Sequence, residues 1–118
     1  MMSQLSIQQV HLALGATDLR KSIDGLALIV SHVLQMDPFS THLFAFCNKR
    51  RNLIKILVWD HNGFWIHYKR LEKGSFQWPE NGHCGALSIS ERSFRWLLDG
   101  MSVEQKTAHT EATGRIMI

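Results

Sequence analysis

Leu53-Ile54-Lys55-Ile56-Leu57-Val58-Trp59-Asp60-His61-Asn62-Gly63-Phe64-Trp65-Ile66-His67-Tyr68-Lys69-Arg70 is the stretch whose reading decides the fold. Two runs of branched and aromatic residues flank a turn signal, which is the pattern of a β-hairpin. Asp60 suits the first position of a type I turn, and Gly63 tolerates the left-handed backbone that closes one. With His61-Asn62-Gly63 as a three-residue loop, Val58 is expected to oppose Ile66, Ile56 to oppose Tyr68, Trp59 to oppose Trp65 and Lys55 to oppose Lys69. One face then collects Ile54, Ile56, Val58, Phe64, Ile66 and Tyr68 as a core, and the other Lys55, Leu57, Trp59, Trp65, His67 and Lys69. A two-residue Asn62-Gly63 loop would set His67 and Lys69 against Val58 and Ile56. A slip of one residue turns side chains to the wrong face, so the hydrophobic pattern selects the longer loop.

Working outward, residues 42–47 read as a further strand, joined to the hairpin through Asn48-Lys49-Arg50-Arg51-Asn52. If Cys47 faces Leu53, then Phe44 and Phe46 join the core face and three cations sit at one tip of the sheet. Upstream, residues 10–14 form a short strand ending at Gly15. A helix is expected from about 19 to 35, because Ile23, Leu26, Ala27, Val30, Val33 and Leu34 make one stripe on a 3.6-residue period. Thr17 or Asp18 is its expected cap, and Asp37-Pro38 its stop. Downstream, residues 74–85 are loop-like. A second helix follows, with Ser90 as cap, Ile89 stapled to Phe94, an apolar face of Phe94, Leu97 and Leu98, and Gly100 as terminator. The expected fold is α+β: a mostly antiparallel β-meander packed with two helices, one domain over residues 1–100. Residues 101–118 are expected to be a polar tail, partly disordered, with Ile116-Met117-Ile118 as its apolar end.

The chain has 118 residues, 45% hydrophobic and 19% charged, which is globular rather than disordered composition. No apolar run approaches the roughly 20 residues of a membrane helix, and the N-terminus lacks the pattern of a secretory signal. A cytoplasmic protein is expected, and Cys47 and Cys84 agree, forming no CxxC pair. Of the formal charge of +3, the segment 49–73 alone supplies +5, through Lys49, Arg50, Arg51, Lys55, Lys69, Arg70 and Lys73 against Asp60 and Glu72. A localised positive field attracts polyanions, although a charged hairpin is also what keeps a sheet soluble.

Catalytic signals are missing. The histidines His11, His32, His42, His61, His67, His83 and His109 have no HExxH or paired Cys/His spacing, so neither a metal nor any other cofactor is expected. There is no GxSxG elbow and no phosphate loop, and Cys47 in an apolar strand reads as an inert core thiol. Binding rather than catalysis is expected. Two features stand out. Thr17 to Asp24 places Arg20 and Lys21 in what should be the first helical turn, against the helix dipole. Arg20, Lys21 and Asp24 are therefore candidates for an anion or a partner, unless Asp18 and Asp24 simply pair with the two cations. Lys55, Trp59, Trp65 and Lys69 are expected on one face, where aromatics among cations can stack bases, unless a helix covers the two tryptophans.

The run from Leu12 through Gly15-Ala16-Thr17-Asp18-Leu19-Arg20-Lys21-Ser22-Ile23-Asp24-Gly25 to Leu26 resembles the opening signature of one accessory family. Asp37-Pro38-Phe39-Ser40, Phe46-Cys47-Asn48-Lys49-Arg50-Arg51, Trp59-Asp60 with Asn62-Gly63-Phe64-Trp65, Tyr68-Lys69-Arg70-Leu71-Glu72-Lys73-Gly74 and Trp96-Leu97-Leu98-Asp99-Gly100 continue it in order. The family is the second-open-reading-frame (TnpB-type) protein of bacterial insertion sequences of the sixty-six type, and the resemblance spans about residues 10–100. Met36, His42 and His61 depart from its pattern without touching the basic motifs. The resemblance implies a helper in DNA transposition whose cutting triad lies in a separate transposase, so it supplies a process and no catalytic residues. Two readings follow. The protein binds element DNA, at the element ends, or RNA through Lys49, Arg50, Arg51, Lys55, Lys69 and Arg70. Alternatively it is an adaptor, docking the transposase or a second copy of itself through Arg20, Lys21 and Asp24.

Overall fold

Branched and aromatic runs become strands throughout the computed structural model of the chain, which describes residues 9–80 and 85–103. The order is β1 (Val10–Ala13), α1 (Ile23–Leu28) continuing into a π-helical turn (Ile29–Val33), β2 (Leu43–Cys47), β3 (Leu53–Asp60), β4 (Gly63–Arg70), β5 (Ala86–Ile89) and α2 (Glu91–Leu98). The strands form a five-stranded sheet in the order β4-β3-β2-β1-β5. All neighbours are antiparallel except β1 and β2. A parallel pair needs a crossover, and α1 supplies it. The α+β architecture therefore stands, and β5, absent from the sequence reading, closes the far edge.

The register does not follow the expectation. Asp60 pairs with Gly63 around a two-residue His61-Asn62 loop, so Val58 faces Trp65, Ile56 faces His67 and Lys55 faces Tyr68. His61, at φ 56°, takes the left-handed position that Gly63 was expected to fill. The earlier turn is also displaced by one, with Cys47 opposite Ile54. The physical reason is that both faces of the sheet are covered. Val10, Leu12, Leu43, Ala45, Cys47, Ile54, Ile56 and Val58 pack with Phe94 and Leu97 of α2. Phe44, Phe46 and Leu57 pack on the other face with Leu26 and Val30 of the first helix, with Phe64 and Ile66 half-buried beside them. With Ile56, Leu57 and Val58 all buried, alternation carries no information about register.

The helices show where local rules held. Ser90 Oγ accepts the backbone N–H of Ser93, Ile89 and Phe94 share one core, and Gly100 at φ 88° ends α2 with Met101 N–H donating to Trp96 O. At the first helix the expected start is wrong. Asp18 Oδ1 accepts the Arg20 N–H in an Asx turn, and Lys21 N–H bonds Asp18 O. That turn uses residues 18–21, so the helix begins only after Ser22, the cap residue. It also ends early. The π-helical turn shifts the phase of the stripe, leaving Val33 59% exposed, and Gln35 turns the chain at φ 54° before Asp37-Pro38 is reached. From β4 the chain returns as a loop whose Phe76 and Trp78 are buried under the sheet, Trp78 Nε1 donating to Ala13 O.

Candidate nucleic-acid interface

Three hydrogen bonds carry the Gly15–Lys21 segment onto the basic β2–β3 turn. Thr17 N–H donates to Cys47 O, Arg51 Nη1 to Gly15 O at 3.2 Å, and Lys55 Nζ to Lys21 O at 3.0 Å. The turn itself is built on Asn48, whose Oδ1 accepts the N–H groups of Asn52 and Leu53 while its Nδ2 donates to Asn52 Oδ1. This scaffold holds the backbone without calling on Lys49 or Arg50, whose side chains are exposed.

Between the two segments lies an open cleft of about 410 Å³, lined by Thr17, Asp18, Leu19, Arg20, Asn48, Lys49, Arg50, Leu53 and Tyr68. The two groups of cations singled out separately in the sequence thus meet at one place. Arg20 is 91% exposed at its side chain and forms a two-pronged pair with Asp18. That hydrogen bond holds the Asp18 carboxyl well below the usual carboxylate range. Asp18 therefore stays ionised and offsets one cation of the cleft. Lys21 lies outside the helix, so the conflict with the helix dipole expected from the sequence does not arise. Its stem packs against Gly25, where an added Cβ would come within 3.1 Å of Lys21 Cβ. Asp24 sits exposed in the first turn of α1.

The six residues expected to contact nucleic acid do not act as one group. Arg51 sits at φ 63° and turns inward to Gly15 O. Lys55, Tyr68 and Arg70 project from the face that carries α1, since Lys55 pairs with Tyr68 and Leu53 with Arg70. Arg70 is bound to Glu72. Lys69 pairs with Ile54 on the opposite face, where its Nζ donates to Leu98 O at 2.7 Å, at the C-terminal end of α2. A cation there complements the helix dipole.

The expected aromatic and cationic face is divided in the same way. Lys55 and Trp59 stand on one side of the sheet, and Trp65, His67 and Lys69 on the other. Trp59 makes edge contacts with Phe39 and Phe64 at 5.0 Å, and Trp65 donates to Asp60 while stacking beside His67. The aromatic ring that does stand among the cations is Tyr68, 58% exposed, with Lys55 Nζ 5.7 Å from its centroid. Sequence reading missed it because its parity assigned Tyr68 to the core. The Asx signal of Asp18, two residues before Arg20, could have revealed the turn.

Other hollows bring no comparable charge. One of about 620 Å³ beside α2 is lined by Gln77, Trp78, Leu87, Ile89 and Ser93 among others, none of them charged. A second, near β1, holds a part-buried chain in which Ser88 Oγ, His11 and His42 are linked by two 2.7 Å contacts. Among the described residues no group of three or more His, Cys, Asp or Glu is placed to hold a metal ion, and His83, Cys84 and His109 lie outside them. Burial pushes the Cys47 thiol up. No helix among the described residues is long and apolar enough to cross a membrane.

A family model described as IS66 Orf2 like protein matches residues 8–108. Two proteins of Sinorhizobium fredii are similar over 93 residues. The uncharacterized protein y4hO is 37% identical, covering 79% of this chain and 80% of that protein. The uncharacterized protein y4jC is 31% identical, covering 79% of each. No solved structure matches the chain significantly.

Proposed function

The chain belongs to the IS66 Orf2-like family, accessory proteins of insertion-sequence transposition, and from that premise we propose that it acts by binding nucleic acid through the cleft beside the β2–β3 turn. Arg20, Lys49, Arg50 and Lys55 are the phosphate contacts, with Lys21 and Arg70 at the margin. Arg51 and Lys69 take structural roles. The observation that carries this reading is the convergence of cations some thirty positions apart in the chain onto one open cleft, held by hydrogen bonds that leave Lys49 and Arg50 exposed. A surface of this kind concentrates polyanions, and each phosphate it neutralises releases condensed counterions. Binding, with no chemistry of its own, is the contribution to transposition.

Fluorescence anisotropy of labelled nucleic acid titrated with salt tests the reading. Affinity should fall linearly on logarithmic axes. Changing Lys49 and Arg50 together to Ala should flatten that slope by about two units, roughly one per lost phosphate contact. Wild-type protein with no salt-dependent binding to DNA or RNA would sink it. Capture of the transposase that depends on Arg20 or Lys21 would then identify the cleft as a docking site for protein.

A further inference from the structure

We infer that the cleft takes an unpaired nucleobase on the ring of Tyr68, so that the protein prefers single-stranded nucleic acid to duplex; this rests on the nucleic-acid reading above and sharpens it. The argument starts from the register. With Asp60 opposite Gly63, the even-numbered residues of β4 share a face with Lys55 and Leu57. Along that face Phe64 and Ile66 pack toward the first helix as half-buried members of its core. Tyr68, the next on the same side, is 58% exposed and lines the cleft instead. A large ring in that position adds little to the core, yet more than half of the residue is open to a ligand.

Its surroundings fit a nucleotide. Lys55 Nζ, fixed by the carbonyl of Lys21, lies 5.7 Å from the ring centroid, and Arg20, Lys49 and Arg50 line the same cleft. A base stacked on Tyr68 would therefore find cations for its flanking phosphates within one cleft. The volume of about 410 Å³ falls within the range of roughly 300–1,000 Å³ typical of small-molecule sites. The cleft is also open at its rim, so a strand can enter and leave. Stacking of this kind is largely indifferent to base identity, because every base has a π-face. In a duplex those faces are already occupied by neighbouring base pairs. The exposed indole of Trp65 is held by Asp60 on the opposite side of the sheet, away from this group of cations.

The test compares a labelled single strand of about 15 nucleotides, in DNA and in RNA form, with the matching duplex at one salt concentration, followed by salt titration of each. Wild-type protein should bind the single strands more tightly. Tyr68→Leu should weaken single-strand binding on the order of 5- to 100-fold while leaving the salt slope and the duplex affinity unchanged, and Tyr68→Phe should restore it. Equal affinity for strand and duplex, or a Tyr68→Leu variant that binds single strands as well as wild type, would overturn the stacking site while salt-dependent binding kept the phosphate reading alive. No salt-dependent binding to any of the three probes would overturn both. The RNA and DNA arms separate the two sources of strand.

Discussion

Strand β3 ends in two turns of opposite character, and only the first of them presents exposed cations. At its start, the β2–β3 turn is held by the Asn48 side chain, which bonds Asn52 and Leu53, so the side chains of Lys49 and Arg50 take no part in that scaffold. At its end, the His61-Asn62 loop is tight and is buttressed by an aromatic cluster, Phe39, Trp59 and Phe64, with centroids 5.0–5.4 Å apart. Asp60, beside it, accepts from Trp65. A polar scaffold internal to the turn leaves exposed cations available to a ligand. A turn held by packed rings uses its side chains for stability.

The strongest test of this contrast is Phe64→Ala. Removing a half-buried ring that contacts both Phe39 and Trp59 should lower unfolding free energy by about 2–3 kcal/mol, somewhat below the range for a fully buried phenylalanine. Urea denaturation measures it. Nucleic-acid affinity per folded molecule should stay at the wild-type value, and an affinity that fell with stability would show the two ends of β3 to be coupled.

A smaller effect separates neighbours within the basic turn. Arg50→Ala should leave stability within about 0.5 kcal/mol, as expected of an exposed position. Arg51→Ala should cost about 1 kcal/mol through loss of the bond to Gly15 O. Arg51→Gly should recover about 1 kcal/mol of that, because glycine occupies φ 63° without the penalty of a Cβ. If Arg51→Ala proves as neutral as Arg50→Ala, the anchoring role assigned to Arg51 is wrong.

The smallest effect comes from outside both turns. Burial, and then the neighbouring His42, push His11 below its ordinary value, and burial does the same to His67. The folded state therefore binds fewer protons at these sites than the unfolded chain. Their contribution is fully present above about pH 6.5 and is lost as pH falls through the folded values. Asp18, held low by Arg20, acts in the same direction only below the ordinary carboxylate range, so measurements between about pH 5 and 7.5 isolate the histidines. The urea midpoint should drop with falling pH across that window, and His11→Asn should flatten the drop.

Much of this was readable in advance where the signal was local. Ser90 caps α2 and Gly100 ends it because both act within one turn of backbone. The Ile23, Leu26, Ala27 and Val30 stripe faces the sheet because its spacing matches a helix, and it fails at Val33, the end of the π-helical turn that begins at Ile29. The loop residues Phe76 and Trp78 gave no periodic signal, since their burial is fixed by the sheet they cross and not by their neighbours in sequence.

The sequence by itself determined four of the five strands, the two-helix complement of the sheet, the family resemblance and the concentration of cations between Lys49 and Lys73. Periodicity, capping and composition are properties of adjacent residues, so they need no knowledge of the rest of the chain. Tertiary structure alone decided the register of β3 against β4, and with it whether Trp59, Trp65 or Tyr68 stands among those cations. One residue of slip exchanges the faces of a strand. With helices covering both sides of this sheet, Ile56 and Leu57 are buried in either case. The hydrophobic pattern was satisfied twice over, and the two-residue closure at His61-Asn62 marks which of the alternatives the chain adopts.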